Sequence, residues 1–95
     1  FRTTQGDIDV TLLSSEAPQT VANFLRYVNR GDYSQSFFHR SVRNFIIQGG
    51  GYRWVNNTAA PVREDPPVQN EFRVSNTRGT IAMAKLGTNP TSATN

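Results

Sequence analysis

Apolar and polar positions divide the chain into short segments of different period. Ile8, Val10 and Leu12 alternate with Asp7, Asp9 and Thr11, the period of two that marks a half-buried strand. Ahead of them Phe1 and Thr3 lead into Thr4-Gln5-Gly6-Asp7, where glycine supplies a positive φ for a tight turn, so a hairpin is expected to open the chain. Asp7 and Asp9 share a strand face and read as a solvated edge rather than a proton-transfer pair. Then the period changes. Val21, Phe24, Leu25 and Val28 recur at i, i+3, i+4 and i+7, which predicts a helix with one apolar stripe against a core. Pro18 suits its first turn, Arg30 complements the dipole at its end, and Gly31 is a natural stop.

Phe37-Phe38-His39-Arg40 and Phe45-Ile46-Ile47-Gln48 predict two short strands with a turn at Ser41 to Asn44. Gly49-Gly50-Gly51 follows, a place where the backbone turns sharply and a side chain would clash. From Tyr52 to Arg78 the pattern fails, and Asn, Thr, Pro61, Pro66 and Pro67 predict mostly loop. Gly79-Thr80-Ile81-Ala82-Met83-Ala84 is small or apolar at nearly every position, as in a strand buried on both sides. After Lys85 the tail is polar turn-formers. One helix among several strands argues for an α+β or mainly-β architecture.

Composition narrows the chemistry more than the fold. Ninety-five residues make one domain the ceiling. There is no cysteine and a single histidine, which excludes a disulfide framework and a zinc site of three or four ligands. No apolar run nears the ~18 residues a membrane span needs, so no membrane partner is expected. No serine sits in a G-x-S-x-G elbow, and the glycine run lacks the Lys-Ser/Thr of a phosphate loop. Charge is uneven: residues 36–62 carry Arg40, Arg43 and Arg53 and no acid. A nucleic-acid binder shows a longer basic stripe with lysine in it, whereas nine of the ten basic residues here are arginine, so no nucleic-acid partner is expected.

What remains is the stretch Phe38 to Gly50. If both strands lie in one sheet, Arg40 and Gln48 supply donors beside an apolar floor of Phe45 and Ile46, which suits a ligand with a greasy ring and an adjacent carbonyl. The plain alternative is a surface arginine and a core phenylalanine. The spacing F-H-R-x-x-x-x-F-x-x-Q-G-G, here Phe38 to Gly50, resembles the signature of the cyclophilins, peptidyl-prolyl cis–trans isomerases. Upstream, Gly6-Asp7-Ile8, Ala17 to Phe24 and Gly31-Asp32-Tyr33 are similar to the same family. Downstream, so are Asn70-Glu71, Asn76 to Ala84 and Ser92-Ala93-Thr94.

The resemblance implies a mainly-β fold, a closed β-barrel with flanking helices, of which residues 1–95 are roughly the N-terminal half. It places Arg40 at the catalytic arginine, Phe45 and Ile46 on the proline pocket, and Gln48 on the substrate backbone. Ala84 and Lys85 would lie on the strand end beside the peptide, and His39 would be structural. The family usually has methionine at the position of Ile46 and often asparagine at that of Lys85. Implied partners are proline-containing peptides and unfolded proteins, with cyclosporin-type ligands as candidates, and no cofactor is required. The alternatives are a groove of the same fold that grips proline peptides without turnover, and a basic surface for RNA or acidic partners. Family members continue past the position of Asn95 with further pocket residues, so residues 1–95 alone are expected to be an incompetent isomerase.

Overall fold

The computed structural model describes residues 1–85, Gly87 and Ala93. Three antiparallel hairpins and one helix make up its regular structure: β1 (Arg2–Thr3) with β2 (Gly6–Asp7), α1 (Pro18–Arg30), β3 (Arg40–Val42) with β4 (Ile46–Gln48), and β5 (Tyr52–Val55) with β6 (Thr58–Pro61). The architecture is mainly β with a single helix, and among the described residues the strand pairs do not join into a closed barrel.

The helix forms where its apolar period predicted, yet its N-terminus is capped from a distance. Pro18 occupies the first turn, and Ala17 at the cap position has no polar side chain to offer. The carboxylate of Glu71 takes that role. Its Oε1 accepts from the Thr20 backbone N–H at 2.7 Å and from the Thr20 hydroxyl at 2.8 Å. These N–H groups are the ones an N-cap side chain normally satisfies, and a negative charge there suits the helix dipole. At the other end Gly31 turns left-handed at φ 77°, with Gly31 N–H bonded to Val28 O and Asp32 N–H to Tyr27 O. That is the double closure of a Schellman motif.

Tyr27 is fully buried, and its ring stacks on Tyr33 at 5.7 Å. Its hydroxyl accepts the Asp65 backbone N–H at 2.7 Å. Arg30 lies 4.9 Å over the same ring and donates to both Asp32 and Asp65, the latter at 2.8 Å. The segment from 65 to 71 is therefore drawn onto the side of the helix that carries Thr20, Asn23 and Tyr27. Part of the predicted stripe is displaced in consequence: Val21 is buried, but Leu25 and Val28 are exposed.

Three other expectations are corrected. The strand through Ile8, Val10 and Leu12 stops at Asp7, since the exchange of Phe1 and Ile8 backbone bonds is the last rung and residues 9–13 have no strand partner among the described residues. The stretch from Tyr52 is no loop at its start. Asn56 and Asn57, at φ 52° and 60°, form the two-residue turn of a four-rung hairpin. Asparagine tolerates that left-handed geometry, and two such residues in sequence give the hairpin turn whose twist matches its strands. Finally, Gly79 to Ala84 is not a strand; no partner pairs with it among the described residues, and Ile81 is exposed. Of the Ser92-Ala93-Thr94 match, Ser92 and Thr94 lie outside the described residues, while Ala93 is buried and bridges to Val68.

The two carboxylates that tie this helix down have a pH signature. Desolvation raises the Glu71 pKa, but the bonds from Thr20 and Gln19 more than offset it, leaving it below its ordinary 4.5. The Arg30 hydrogen bond holds Asp65 below its ordinary 3.8. A depressed folded pKa contributes stability that is full above the unfolded value and lost as pH falls through the folded one. Urea midpoints of the intact protein should therefore hold level down to about pH 5 and fall below it. Tyr27→Phe, which deletes one buried hydroxyl bond, should cost ~0.5–1.5 kcal/mol in the same measurement at neutral pH.

Candidate functional site

The β3–β4 hairpin is built around a three-residue connection, Arg43-Asn44-Phe45. Phe45 N–H bonds to Val42 O at 3.0 Å and Asn44 sits at φ 58°. A positive φ at the second central position is the type II pattern, which favours glycine or asparagine there. The first strand is shifted from the predicted 37–40 to Arg40–Val42, because the turn is centred on Arg43 and Asn44 rather than on Ser41 to Asn44. The second starts one residue later than predicted, at Ile46, and ends at Gln48 as expected. Register pairs Arg40 with Gln48, Ser41 with Ile47 and Val42 with Ile46. Opposed residues share a face, and the face alternates along each strand. Arg40, Val42, Ile46 and Gln48 therefore stand together, and Ser41 and Ile47 point the other way.

On that shared face the Arg40 guanidinium donates through Nη1 to Gln48 Oε1 at 3.2 Å. Arg40 is exposed and Gln48 half-buried, so the remaining guanidinium and amide N–H groups face a solvent-accessible surface. Ile46 is half-buried beside them, whereas Phe45, at the turn, is 71% exposed. Ala84 is half-buried and Lys85 exposed, and no hydrogen bond or ion pair joins either to the hairpin among the described residues. The structure thus brings Arg40, Ile46 and Gln48 to one face, sets Phe45 at its edge, and leaves Ala84 and Lys85 on a separate segment.

The hairpin is held by what comes before and after it. His39 N–H bonds to Gln48 O at 3.0 Å, extending the ladder by one contact. The His39 ring meets Tyr52 edge-on at 5.2 Å, and Phe37 stacks on Tyr52 at 6.3 Å and meets Trp54 edge-on. Backbone bonds from Trp54 to Gln35 and from Phe37 to Tyr52 fasten the same segment to β5. This support was missed in the sequence, although the alternation of Tyr52-Arg53-Trp54-Val55 around Asn56-Asn57 carried the signal.

The glycine run after β4 works as expected. A Cβ on Gly49 would stand 3.0 Å from the Phe38 ring, and one on Gly50 3.1 Å from the Tyr33 ring. Gly50 also needs its positive φ of 85°. Tyr33 is in turn stacked on Phe24 and Tyr27, so the exit from β4 is packed against the helix side of the molecule. An open groove of about 320 Å³ lies between the β1–β2 hairpin and the side chains of Phe38 and Ile47. Ile47 points away from Arg40, so that groove and the Arg40 face are different surfaces.

Comparison with known proteins gives a consistent result. The sequence matches the family described as cyclophilin type peptidyl-prolyl cis-trans isomerase/CLD over residues 1–95. It is 42% identical over 87 residues to peptidyl-prolyl cis-trans isomerase B of Escherichia coli K12, covering 90% of this chain and 51% of that protein. It is 39% identical over 97 residues to a peptidyl-prolyl cis-trans isomerase of Acinetobacter baylyi, covering 99% of this chain and 49% of that one. The chain spans about half the length of these curated relatives.

The Tyr33 contact can be tested against an internal control. Gly50 and Gly79 both have φ 85°, but nothing lies within 4 Å of a Cβ built on Gly79. Gly79→Ala should register backbone strain alone, on the order of 1–3 kcal/mol. Gly50→Ala adds a ring contact to the same strain and should cost more. Equal losses in urea unfolding would remove Tyr33 as the reason for glycine at position 50.

Proposed function

The chain belongs to the cyclophilin-type peptidyl-prolyl cis–trans isomerases, and from that premise we propose that it supplies the catalytic hairpin of an enzyme that accelerates rotation about X–Pro peptide bonds. Residues 1–95 are then the N-terminal part of one isomerase domain, and the helix and hairpins described above are part of a closed barrel. The observation that carries this reading is the Arg40–Gln48 rung, a guanidinium donating to the Gln48 amide oxygen at 3.2 Å on the face that also carries Ile46.

The chemistry asks for little more. A peptide C–N bond resists rotation by ~18–20 kcal/mol because of its partial double-bond character. At X–Pro the cis and trans forms lie close in energy, yet exchange still takes tens to hundreds of seconds. Rotation breaks no covalent bond and moves no electron between molecules, so neither a nucleophile nor a metal is needed. What speeds it is binding that is tighter for the twisted amide than for either planar form. In this proposal Ile46 and Phe45 hold the proline ring, and Gln48 holds the neighbouring backbone through its amide. Arg40, with N–H groups left after its bond to Gln48, donates to the carbonyl before proline or toward the nitrogen whose lone pair the twist releases. Ala84 and Lys85 lie alongside the bound peptide. The substrates are proline-containing peptides and unfolded chains, and cyclosporin-type macrocycles are candidate ligands of the same apolar surface.

Two variants of the intact protein test these roles. Arg40→Ala should lower kcat/KM for X–Pro isomerisation by about 10²–10³-fold, the usual loss for a donor aimed at the transition state, while peptide binding weakens far less. A protease-coupled proline assay that finds the variant within about threefold of wild type would sink the role. Peptide binding by the wild type with no turnover in the same assay would instead favour a groove that grips without turnover. Ile46→Met changes flexibility at nearly constant volume, so stability should move by less than ~1.5 kcal/mol. Tolerance for residues flanking proline should broaden, and identical selectivity across an X–Pro panel would count against a pocket-wall role for Ile46.

A further inference from the structure

Most of the carboxylates in this fold are already engaged. Asp32 and Asp65 are held by Arg30, Glu71 by Thr20, and Glu16 by the Ser15 hydroxyl. The cations between residues 36 and 62 are in the opposite situation, since that stretch contains Arg40, Arg43 and Arg53 and no acid. Arg53 is anchored through Nε to the Ser34 backbone oxygen at 2.9 Å, and Arg40 donates to Gln48. Arg43 makes no hydrogen bond or ion pair among the described residues. The acid that approaches the hairpin, Asp7, shares the groove with Ile47 on the face that Arg40 does not occupy.

The position of Arg43 is fixed although its side chain is exposed. It is the first central residue of the turn closed by Phe45 N–H and Val42 O, next to Asn44 in its left-handed conformation. Only Ser41 and Val42 lie between it and Arg40, so it stands at the turn end of the strand, roughly 7–10 Å away at ~3.3 Å per strand residue. An extended peptide with its proline beside Arg40 and Ile46 and its chain running toward that turn would bring a residue two or three places from the proline within reach of the exposed Arg43 side chain. Resting on the isomerase reading, we propose that Arg43 is a specificity-determining residue that selects substrates with a carboxylate two or three residues from the proline.

The size of the effect follows from its exposure. A solvent-exposed charge pair shifts an equilibrium by a small factor, so the preference should be about 2–5-fold in kcat/KM. It should fade with added salt, as the screening length drops from ~10 Å at 0.1 M to ~3 Å at 1 M.

The experiment uses matched X–Pro peptides carrying Glu or Gln at two or three positions before or after proline, assayed on the full-length protein and on its Arg43→Gln and Arg43→Lys variants. Both peptides are read on the same preparation, so their ratio is unaffected by any loss of active material. Wild type should prefer Glu by about 2–5-fold at one or more of these positions at low salt. Arg43→Gln should bring the ratio toward one, and Arg43→Lys, which keeps the charge, should retain it. A wild-type ratio of one at every position, or a preference that survives Arg43→Gln, overturns the proposal while leaving the isomerase reading intact. Peptide binding followed by NMR separates the converse case. An Arg43-dependent preference for Glu in binding, with no turnover of any peptide, supports charge selection and overturns the isomerase reading instead.

Discussion

Tyr27 is the point on which the rest of the arrangement depends. It is large, fully buried and polar at one end, so its hydroxyl must find a partner, and the Asp65 N–H supplies it. Its ring face is covered on one side by Arg30, whose guanidinium also bridges Asp32 and Asp65. Its other contacts pass through Tyr33 to Phe24. Burial pushes the Tyr33 phenol pKa upward, as expected of a ring packed among rings. With few other buried residues among those described, this cluster does the work that a larger aliphatic core does in bigger domains.

From that cluster the constraint reaches the candidate site by contact. Tyr33 touches the place where Gly50 has no side chain, and Gly50 is two residues beyond Gln48. On the far side the His39 and Phe37 rings lean on β5. The Arg40–Gln48 rung is therefore framed by aromatic rings set against glycines and against other rings. Rings against bare backbone leave little freedom to shift, whereas a guanidinium on an exposed strand would otherwise wander. That fixity matters for a reaction whose only requirement is the favouring of one amide geometry over another.

How far the sequence foretold this varies by element. The helix was legible because its apolar period, Pro18 and Gly31 agree with one another. That Arg40 and Gln48 would share one sheet was legible because two apolar runs flank a turn, but the register that pairs them was not. The predicted hairpin was misplaced by up to three residues, since the pattern does not say which of Ser41, Arg43 or Asn44 takes the left-handed position. The β5–β6 hairpin was hidden by reading asparagines as breakers when two in a row were the turn itself. The Glu71 cap was invisible for a different reason: it joins residues 51 apart, and no periodicity records such a contact. Gly79 to Ala84 erred the other way, because apolar composition invites pairing but does not provide a partner. Family resemblance, by contrast, came from a short spacing around Arg40 and was confirmed along the whole chain.

The same division between near and distant contacts sets an order of assembly. Each hairpin closes over two or three residues, so its two strands meet almost as soon as both exist. The bonds from Glu71 to Thr20 and from Asp65 to Tyr27 span 51 and 38 residues. Closing a fifty-residue loop costs roughly 2–3 kcal/mol more chain entropy than closing one of three residues. The N-terminal cap of the helix and the bond of its buried tyrosine are consequently completed late, after the segments that carry Arg40 and Gln48 have taken their local shape. An exposed arginine on an early hairpin would thus be in register before the ring that steadies it arrives.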